Sequence, residues 1–295
     1  MTTITSPHNP RLKELRKLSR RRERERSGRF LAEGEDLIAA AVAAGRPALA
    51  GYRTAGTAIG GAGFEDVEES VMASLSTLGS GTRAIGVYEQ RFTKPVGPLC
   101  VYLHGVGDPG NVGAVLRSAL AFGASCVALG PGCADPHSPK AVRASMGAVF
   151  SVGLARVSDV GETPGTRVAL VAGAGEPIWT VRSGGEPIWT VGGVGNDDVL
   201  GARGGGGNEL DQSVRDGLEN AMPPARAGGI ASGEHQPASL TLLVGAERDG
   251  LPDEVIEACE RVAHIPIASE SLNAAMAATV ALYEMTRRST RVPAS

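Results

Sequence analysis

Two polar side chains stand out in the most patterned stretch of the sequence, residues 99–119, because their surroundings are apolar. Asn111 and Arg117 lie six residues apart in a segment whose apolar residues recur at the spacing of a helix. In such a helix the two side chains project in different directions, and Arg117 lies on the second turn. A guanidinium is always charged and only donates hydrogen bonds, so an arginine in this setting indicates an anionic ligand.

The elements that must position these residues are a strand, a loop and a helix. Residues 99–103 are apolar and suit a buried strand, and Asp108-Pro109-Gly110 is typical of a turn before a helix. Residues 105–110 also match the G-x-G-x-x-G pattern of dinucleotide-binding sites. The next strand, however, ends in Gly130-Pro131-Gly132, where that class needs an acidic residue, and Asp135 comes too late. A nicotinamide-dependent oxidoreductase is therefore the weakest alternative, and an ordinary glycine-rich turn stays open on this stretch alone.

Two further stretches near the end of the chain combine polar residues with apolar runs. Residues 242–252 contain Gly245-Ala246-Glu247 and Gly250-Leu251, and residues 265–276 contain Ile265-Pro266 and Ser271-Leu272-Asn273. Together with the pattern N-x-G-A-x-x-R at residues 111–117, they resemble the three signature motifs of the SpoU (TrmH) family of RNA ribose 2'-O-methyltransferases, in the order that the family uses. One departure is the Ala274-Ala275 pair, where many members carry Val and Ser.

The resemblance implies a fold, a cofactor and a partner. The expected fold class is α/β, with a SPOUT-type catalytic domain that ends in a C-terminal trefoil knot, preceded by a small α/β domain related to ribosomal protein L30e. The expected cofactor is S-adenosyl-L-methionine, and the expected reaction is 2'-O-methylation of a ribose in structured RNA, with ribosomal RNA as the first choice. Transfer RNA as the substrate and a non-catalytic RNA-binding module are the alternatives.

The resemblance also points to site residues. The candidate catalytic residues are Arg117, Asn111, Glu247, Ser271 and Asn273, and the expected contacts to the cofactor come from Gly245, Ile265 and Leu272. Since a ribose hydroxyl is a very weak acid, its proton must be accepted and its neighbouring phosphate held during the transfer. An arginine orients a phosphate more easily than it acts as a base, so the role of Arg117 stays open between the two. Asn111 and Ser271 also suit the N-caps of their helices.

The N-terminal segment is strongly basic although the whole chain has a net charge of −3. Residues 9–29 hold ten Arg and Lys against three Glu, a local balance of +7, and leucines at 12, 15 and 18 predict one helix with a single apolar stripe. This charge favours contact with RNA phosphates, while an ordinary solvated face is the alternative. The candidate RNA-binding residues are Arg11, Lys13, Arg16, Lys17, Arg20, Arg21, Arg22, Lys140 and Arg143.

The chain divides at a proline-rich linker within residues 90–98 into an RNA substrate-binding domain, residues 1–95, and a methyltransferase domain, residues 96–295. In the first domain, helices over 34–44 and 67–78 and strands over 48–53 and 84–89 are predicted. The heptapeptide GEPIWTV occurs at 175–181 and again at 185–191, and the first copy is expected to take the place of a short strand. The polar, glycine-rich residues 192–238 predict a disordered insertion.

Several classes of site are not indicated. The cysteines, Cys100, Cys126, Cys133 and Cys259, have no C-x-x-C spacing, so neither a metal site nor a disulfide framework is expected, and a cytoplasmic location fits. No apolar run suggests a membrane span. The last helix, expected over 272–288, carries an apolar stripe of Leu272, Met276, Val280 and Tyr283. This stripe predicts a homodimer, and packing of the stripe inside its own domain is the alternative.

Overall fold

The computed structural model describes residues 3–61, 63–76, 81–181, 239–269 and 271–287. Its strands form two separate sheets, one of four strands from residues 29–89 and one of seven strands from residues 99–264. The mixed α/β class predicted from the sequence is confirmed. The knot and the domain boundary at residues 95/96 stay predictions, and the insertion at 192–238 lies outside the described residues.

The N-terminal sheet has the strand order β1-β4-β2-β3. The strand β4 pairs antiparallel with both β1 and β2, whereas β2 and β3 run parallel. Its strands are β1 (Arg29–Glu33), β2 (Ala50–Thr54), β3 (Phe64–Val67) and β4 (Ala84–Glu89). The accompanying helices are α1 (Pro10–Lys17), α2 (Arg21–Ser27), α3 (Glu35–Ala43) and α4 (Glu69–Ala73).

The basic segment is two short helices rather than the single helix that the leucine spacing predicts. The chain leaves α1 at Lys17 and turns before Arg20, which is extended with φ −92° and ψ 132° and precedes α2. Leu12, Leu15 and Leu18 are buried in the core of the N-terminal part. The three leucines were therefore correctly assigned to one apolar face, but the backbone turns at the end of that face.

The larger sheet is parallel throughout and has the order β7-β6-β5-β10-β8-β11-β9. Every residue of β5, β6 and β10 is buried, as expected for strands covered on both faces. The strands are β5 (Leu99–Leu103), β6 (Cys126–Leu129), β7 (Gly153–Arg156), β8 (Thr166–Leu170), β9 (Glu176–Pro177), β10 (Leu240–Val244) and β11 (Arg261–His264). The helices are α5 (Pro109–Ala121), α6 (Pro139–Ala144), α7 (Ala148–Ser151), α8 (Asp253–Glu257) and α9 (Ala274–Thr286).

The position of α5 is set by close packing against two other helices. A Cβ atom on Gly113 would lie 2.3 Å from the carbonyl oxygen of Ala141, so only glycine lets α6 approach α5 this closely. On its other side α5 contacts α9, where the hydroxyl groups of Ser118 and Thr279 are 2.6 Å apart. The helix that carries Asn111 and Arg117 is thereby fixed between two neighbours.

One hydrophobic cluster contains residues of both sheets. Phe30 and Tyr88, from the N-terminal sheet, lie with ring centroids 5.8 Å and 4.8 Å from the ring of Phe150 in α7. Phe30 also packs on His137, with centroids 4.6 Å apart. The N-terminal part is therefore held against the larger sheet by buried aromatic contacts.

Two predicted elements differ from the structure, and one strand was not predicted. Residues 67–78 were expected to be one helix, but β3 ends at Val67, and within the described residues 67–76 only Glu69–Ala73 is helical. The alternating pattern over 149–157 predicts a strand, whereas its first part belongs to α7. The strand β1 was not predicted. In all three cases the apolar pattern covers too few residues to separate a helix from a strand.

The first copy of GEPIWTV occupies the short strand position expected of it. It supplies β9 at the edge of the sheet and a 3-10 turn at Ile178–Thr180. Ile178 and Val181 are buried, and Glu176 accepts a hydrogen bond from Arg261 Nε at 2.7 Å. The second copy, residues 185–191, lies outside the described residues.

Candidate active site

The three motifs meet at one edge of the larger sheet because they follow strands that run in the same direction. The loops after β5, β10 and β11 all leave the carboxyl ends of parallel strands, which is where open α/β sheets bind ligands. The loop after β10 folds back on itself through two hydrogen bonds between Ala246 and Gly250, at 3.1 and 3.0 Å. A Cβ atom on Gly245 would lie 2.2 Å from the carbonyl carbon of Gly250, so this turn requires glycine.

A carboxylate joins the three motifs. Glu247 Oε1 accepts a hydrogen bond from Asn111 Nδ2 at 2.5 Å and another from Asn273 Nδ2 at 2.5 Å. Asn273 Nδ2 also lies 3.1 Å from Asn111 Oδ1. Asn111 is 136 positions from Glu247 and 162 positions from Asn273 in the sequence. The three side chains nevertheless form one hydrogen-bonded group, which we call the Asn-Glu-Asn cluster.

The helix caps differ in part from the expected ones. Asp108, not Asn111, caps α5, and its carboxylate accepts a hydrogen bond from the Asn111 backbone N–H at 3.1 Å. Asn273, not Ser271, caps α9, accepting from the backbone N–H groups of Ala275 and Met276. Asn111 therefore has its side chain free for the Asn-Glu-Asn cluster, while Asn273 uses its oxygen as a cap and its amide group for the cluster.

A lysine beside Asp108 stabilises the ionised form of the carboxylate that caps α5. Lys140 Nζ donates to Asp108 Oδ2 at 2.7 Å. This contact, with backbone hydrogen bonds from Asn111 and Gly110, holds the pKa of the Asp108 carboxyl below its ordinary value. Lys140 also remains a predicted RNA contact, because its pair with Asp108 is exposed and weak.

Arg117 does not touch the Asn-Glu-Asn cluster. It is exposed on α5, and within the described residues its guanidinium makes no hydrogen bond and no ion pair. Leu120, three residues further on and so on the same face of the helix, is 47% exposed. The structure therefore leaves the arginine open to an anion, but away from the other candidate catalytic residues of its own chain.

A cavity of about 270 Å³ lies next to the cluster, between the loops that follow β8, β10 and β11. The predicted cofactor contacts Gly245, Ile265 and Leu272 all line it, and so do Glu247 and Ser271. Its remaining walls are largely apolar: Leu170, Val171, Ala172, Val244, Ala246, Gly250, Ile267, Ala274 and Ala277, with Arg248 as a further charged group. An apolar slot edged by exposed loop backbone suits a flat ring with a few polar atoms.

The segment Leu170–Ala172 was not identified from the sequence as part of the site. A signal was present, because the apolar pattern over 167–172 predicts a strand. In a parallel sheet the carboxyl end of that strand must lie at the same edge as the loops after β5 and β10. Arg248, which follows the motif glutamate, was also missed.

The basic residues of the N-terminal helices are mostly exposed, but several already have partners. Arg11 pairs with Glu65 at 2.5 Å, Lys17 with Glu14 at 2.6 Å and Arg21 with Glu25 at 2.8 Å. Arg16 donates to the carbonyl oxygen of Pro7 at 2.7 Å. Lys13, Arg20, Arg22 and Arg143 are exposed as well. Exposed pairs of this kind are weak and leave the surface able to bind phosphates.

Two absences bear on the site. Among the described residues, no helix is long and apolar enough to span a membrane. Within the same part of the chain, no three His, Cys, Asp or Glu residues are grouped so that they could hold a metal ion.

The fold is α/β, and a cavity lies at the carboxyl edge of its parallel sheet. Residues 98–176 and 222–283 match the model of the SpoU rRNA methylase family, and residues 9–83 match the MRM3-like substrate-binding domain. The chain belongs to the SpoU methylase family.

Individual relatives agree with this assignment. A 23S rRNA (uridine(2479)-2'-O)-methyltransferase from Streptomyces viridochromogenes is 32% identical over 183 residues, covering 61% of this chain and 50% of that protein. The human mitochondrial rRNA methyltransferase 3 is 26% identical over 90% of this chain and 69% of its own length. The crystal structure of an AdoMet-bound rRNA methyltransferase from Sinorhizobium meliloti is 25% identical and superimposes with a TM-score of 0.69 over 96% of each chain. The chain spans only 59% and 50% of the first two curated relatives that it matches.

Proposed function

We propose that this protein transfers a methyl group from S-adenosyl-L-methionine to the 2'-hydroxyl of a ribose in structured RNA, with ribosomal RNA as the substrate. The observation that carries the proposal is the Asn-Glu-Asn cluster at the rim of an apolar cavity. Three segments that are far apart in sequence contribute to it, and each carries one of the motifs that resemble the SpoU signatures.

The residues around the cavity fit this cofactor. Leu170, Ile265 and Leu272 offer apolar contact to an adenine ring, and the irregular backbone after β10 and β11 offers polar groups for its edge. Glu247 lies at the rim, where a carboxylate favours a positively charged sulfonium group. When bound, the cofactor supplies a methyl group that is activated for displacement, so no metal ion is required by the chemistry.

The protein's own residues must then place the hydroxyl group for attack on the methyl carbon, and the hydroxyl proton passes to solvent water as the new O–C bond forms. The amide groups of Asn111 and Asn273 are fixed by Glu247, and such fixed dipoles orient a ligand without reorganising during the reaction. Arg117, with its donors unused, is suited to hold the phosphate beside the reacting ribose, since a guanidinium binds phosphate through two parallel hydrogen bonds. We assign it this orienting role.

A two-fold partner would explain why Arg117 stands apart from the cluster. Met276, Val280 and Tyr283 on α9 are 63%, 37% and 50% exposed, and Tyr283 packs on Phe122 near the end of α5. Leu120 extends this apolar surface beside Arg117. A second copy that covers this surface would bring its Arg117 to the region of α9, so we propose a homodimer whose subunits complete each other's sites.

Ribosomal RNA is favoured over transfer RNA by the N-terminal part. Residues 9–83 match a substrate-binding domain named for an rRNA methyltransferase relative, and the Streptomyces and human relatives are both named for rRNA. The basic helices α1 and α2 belong to the same part and would bind RNA phosphates without reading the sequence.

The test is methyl transfer from radiolabelled S-adenosylmethionine to purified ribosomal RNA and, in parallel, to bulk transfer RNA. We expect incorporation into ribosomal RNA and a rise in melting temperature with S-adenosylhomocysteine but not with a nicotinamide dinucleotide. Incorporation into transfer RNA alone would contradict the choice of substrate. Binding of RNA with no transfer to either would favour the non-catalytic alternative.

A further inference from the structure

A second cleft opens on the same edge of the larger sheet, on the opposite side of the loop after β5. Its volume is about 380 Å³, and it lies over the carboxyl ends of β6 and β7. The glycine-rich loop after β6 forms its floor, and Arg21, Arg156 and Ser158 are among the side chains at its walls. We call it the arginine cleft.

The arginine cleft adjoins the candidate active site directly. The loop after β6 is tied to the loop after β5 by hydrogen bonds from Gly105 N to Pro131 O and from Ala134 N to Val106 O, both 2.9 Å. In the strand order, β7 and β6 lie on one side of β5, whereas β10, β8 and β11, which bear the cofactor cavity, lie on the other. The loop that leads to Asp108 and Asn111 therefore runs between the two depressions.

Arg156 is held in place without using its hydrogen-bond donors. It is the last residue of β7, is exposed, and carries its guanidinium 4.4 Å from the centroid of the Phe92 ring. Stacking on a ring face leaves the N–H groups at the edge of the guanidinium plane available. In the portion of the chain that the structure describes, Arg156 makes no hydrogen bond or ion pair.

Arg21 enters the cleft from the N-terminal part. It lies on α2 three residues before Arg24, whose buried side chain bonds to Asp135 at 2.7 Å and to the carbonyl oxygens of Leu18 and Ser19. These contacts fix α2 over the loop after β6. Asp135 also lines the cleft, but its charge is offset by Arg24. The exposed pair between Arg21 and Glu25 is weak enough for a phosphate to replace.

We infer that the arginine cleft binds the sugar-phosphate backbone of the substrate RNA next to the methylated nucleotide, with Arg156 and Arg21 as phosphate contacts. The inference rests on the proposed function and adds the path of the RNA to it. The cofactor cavity and the cleft flank one active-site loop, so a strand in the cleft lies beside the reacting position. The positive charge also continues from the cleft into α1 and α2, which is what an extended polyanion requires.

The experiment measures binding of a fluorescently labelled 20-nucleotide RNA hairpin between 50 and 300 mM KCl. We expect Arg156→Gln to weaken binding about tenfold and to lower the slope of log affinity against log salt by about 1, as loss of one phosphate contact does. Arg21→Gln should have a smaller effect in the same direction. Arg156→Lys, which keeps the charge but not the planar group that stacks on Phe92, should keep the salt slope near that of the wild type while losing part of the affinity.

The matched control is Arg167→Gln. Arg167 lies near the start of β8, at the amino ends of the parallel strands, whereas the cleft lies at their carboxyl ends. It pairs with Glu260 at 2.5 Å, so this change removes one positive charge at a position far from the cleft. Arg156→Gln that binds RNA with the same affinity and salt slope as Arg167→Gln would overturn the inference, even if the wild-type enzyme methylates RNA. Absence of methyl transfer by a wild-type protein whose RNA binding does depend on Arg156 would instead contradict the proposed function and leave the cleft assigned.

Discussion

Arg24 and Asp135 form a buried ion pair, in which two guanidinium nitrogens contact one carboxylate oxygen, although the residues are 111 positions apart in sequence. Arg24 Nη2 and Nε lie 2.7 and 2.8 Å from Asp135 Oδ2, and each residue is at most 5% exposed. The pair joins α2 to the loop after β6, which is tied to the active-site loop. A charge counted from the sequence as part of an RNA-binding surface is therefore a buried link between the N-terminal part and the larger sheet.

Removing one member of this pair should destabilise the protein strongly. We expect Arg24→Met to lower the free energy of unfolding by about 3–5 kcal/mol, because it leaves the Asp135 carboxylate buried without its partner. Arg26→Met is the control, since Arg26 lies on the same helix in an exposed pair with Glu23, and it should cost less than about 1 kcal/mol. Urea denaturation of the two variants checks this, and equal losses would show that the buried pair is not a major link.

Acid should weaken the same region through His137. Burial lowers the pKa of His137 to about 4, from an ordinary value of 6.5, although Asp135 opposes the shift; Arg24, Arg46 and Arg156 reinforce it. The unfolded chain therefore binds more protons than the folded protein between these pH values, so stability falls as the pH drops from 6.5 to 4.

His137→Gln separates this effect from the titration of carboxyl groups. The variant should lose less stability than the wild type between pH 6.5 and 4, by about 2–3 kcal/mol. Melting temperatures measured at half-unit steps of pH check the difference. Parallel profiles for the two proteins would show that His137 does not govern the acid sensitivity.

Asn273 has two functions that one substitution can separate. Asp at this position still caps α9, because aspartate is as good an N-cap as asparagine, but it cannot donate to Glu247 and places two carboxylates together. We expect Asn273→Asp to keep the stability within about 1 kcal/mol of wild type while reducing methyl transfer about 100-fold. Asn273→Ala, which also removes the cap, should lower both stability and transfer. An active Asn273→Asp enzyme would show that the cluster's hydrogen bonds are not needed for the reaction.

The apolar face of α9 gives a test of the dimer. Met276→Lys places a charge at a 63% exposed position and should yield a monomer by light scattering with little loss of fold, and with loss of methyl transfer. Val42→Lys is the matched control, since Val42 is 70% exposed on α3 and the change should leave the mass of a dimer. Ala278 is fully buried, so Ala278→Arg would unfold the chain instead of dissociating it. A monomeric, active wild-type protein would contradict the shared site.

The sequence predicted strands and helices best where one type of apolar spacing, helical or alternating, continued over the whole element, or where turn residues marked the end of the element. The strand over 84–89 and the strand over 99–103 match the structure. The pair Ser138-Pro139 is typical of a helix start, and Ser138 caps α6. The helix break after Lys17 was missed because the residues between the two helices, Leu18-Ser19-Arg20, include no Gly or Pro to mark a helix end. The burial of Arg24 could not be foreseen, since it depends on Asp135, which the chain brings close only through the packing of α2 on the larger sheet.

The candidate site was predicted as a set of residues rather than as a geometry. The motifs identified Asn111, Glu247 and Asn273, and their contacts follow from parallel strands that end at one edge. The position of Arg117 away from them depends on the direction in which its side chain leaves α5 and on what covers that helix. The contribution of the residues after β8 depends on the order of strands in the sheet. Local residue spacing predicts neither of these.

We expect the product to be a 2'-O-methylated ribose and Arg117 to be required to form it. The most direct measurement is mass spectrometry of nucleosides from ribosomal RNA treated with labelled S-adenosylmethionine and either wild type or Arg117→Ala. We expect one nucleoside with the label on its ribose for the wild type and none above background for the variant. Calorimetry should show that the variant binds S-adenosylhomocysteine as the wild type does. Label on a base, or substantial ribose methylation by Arg117→Ala, would contradict it.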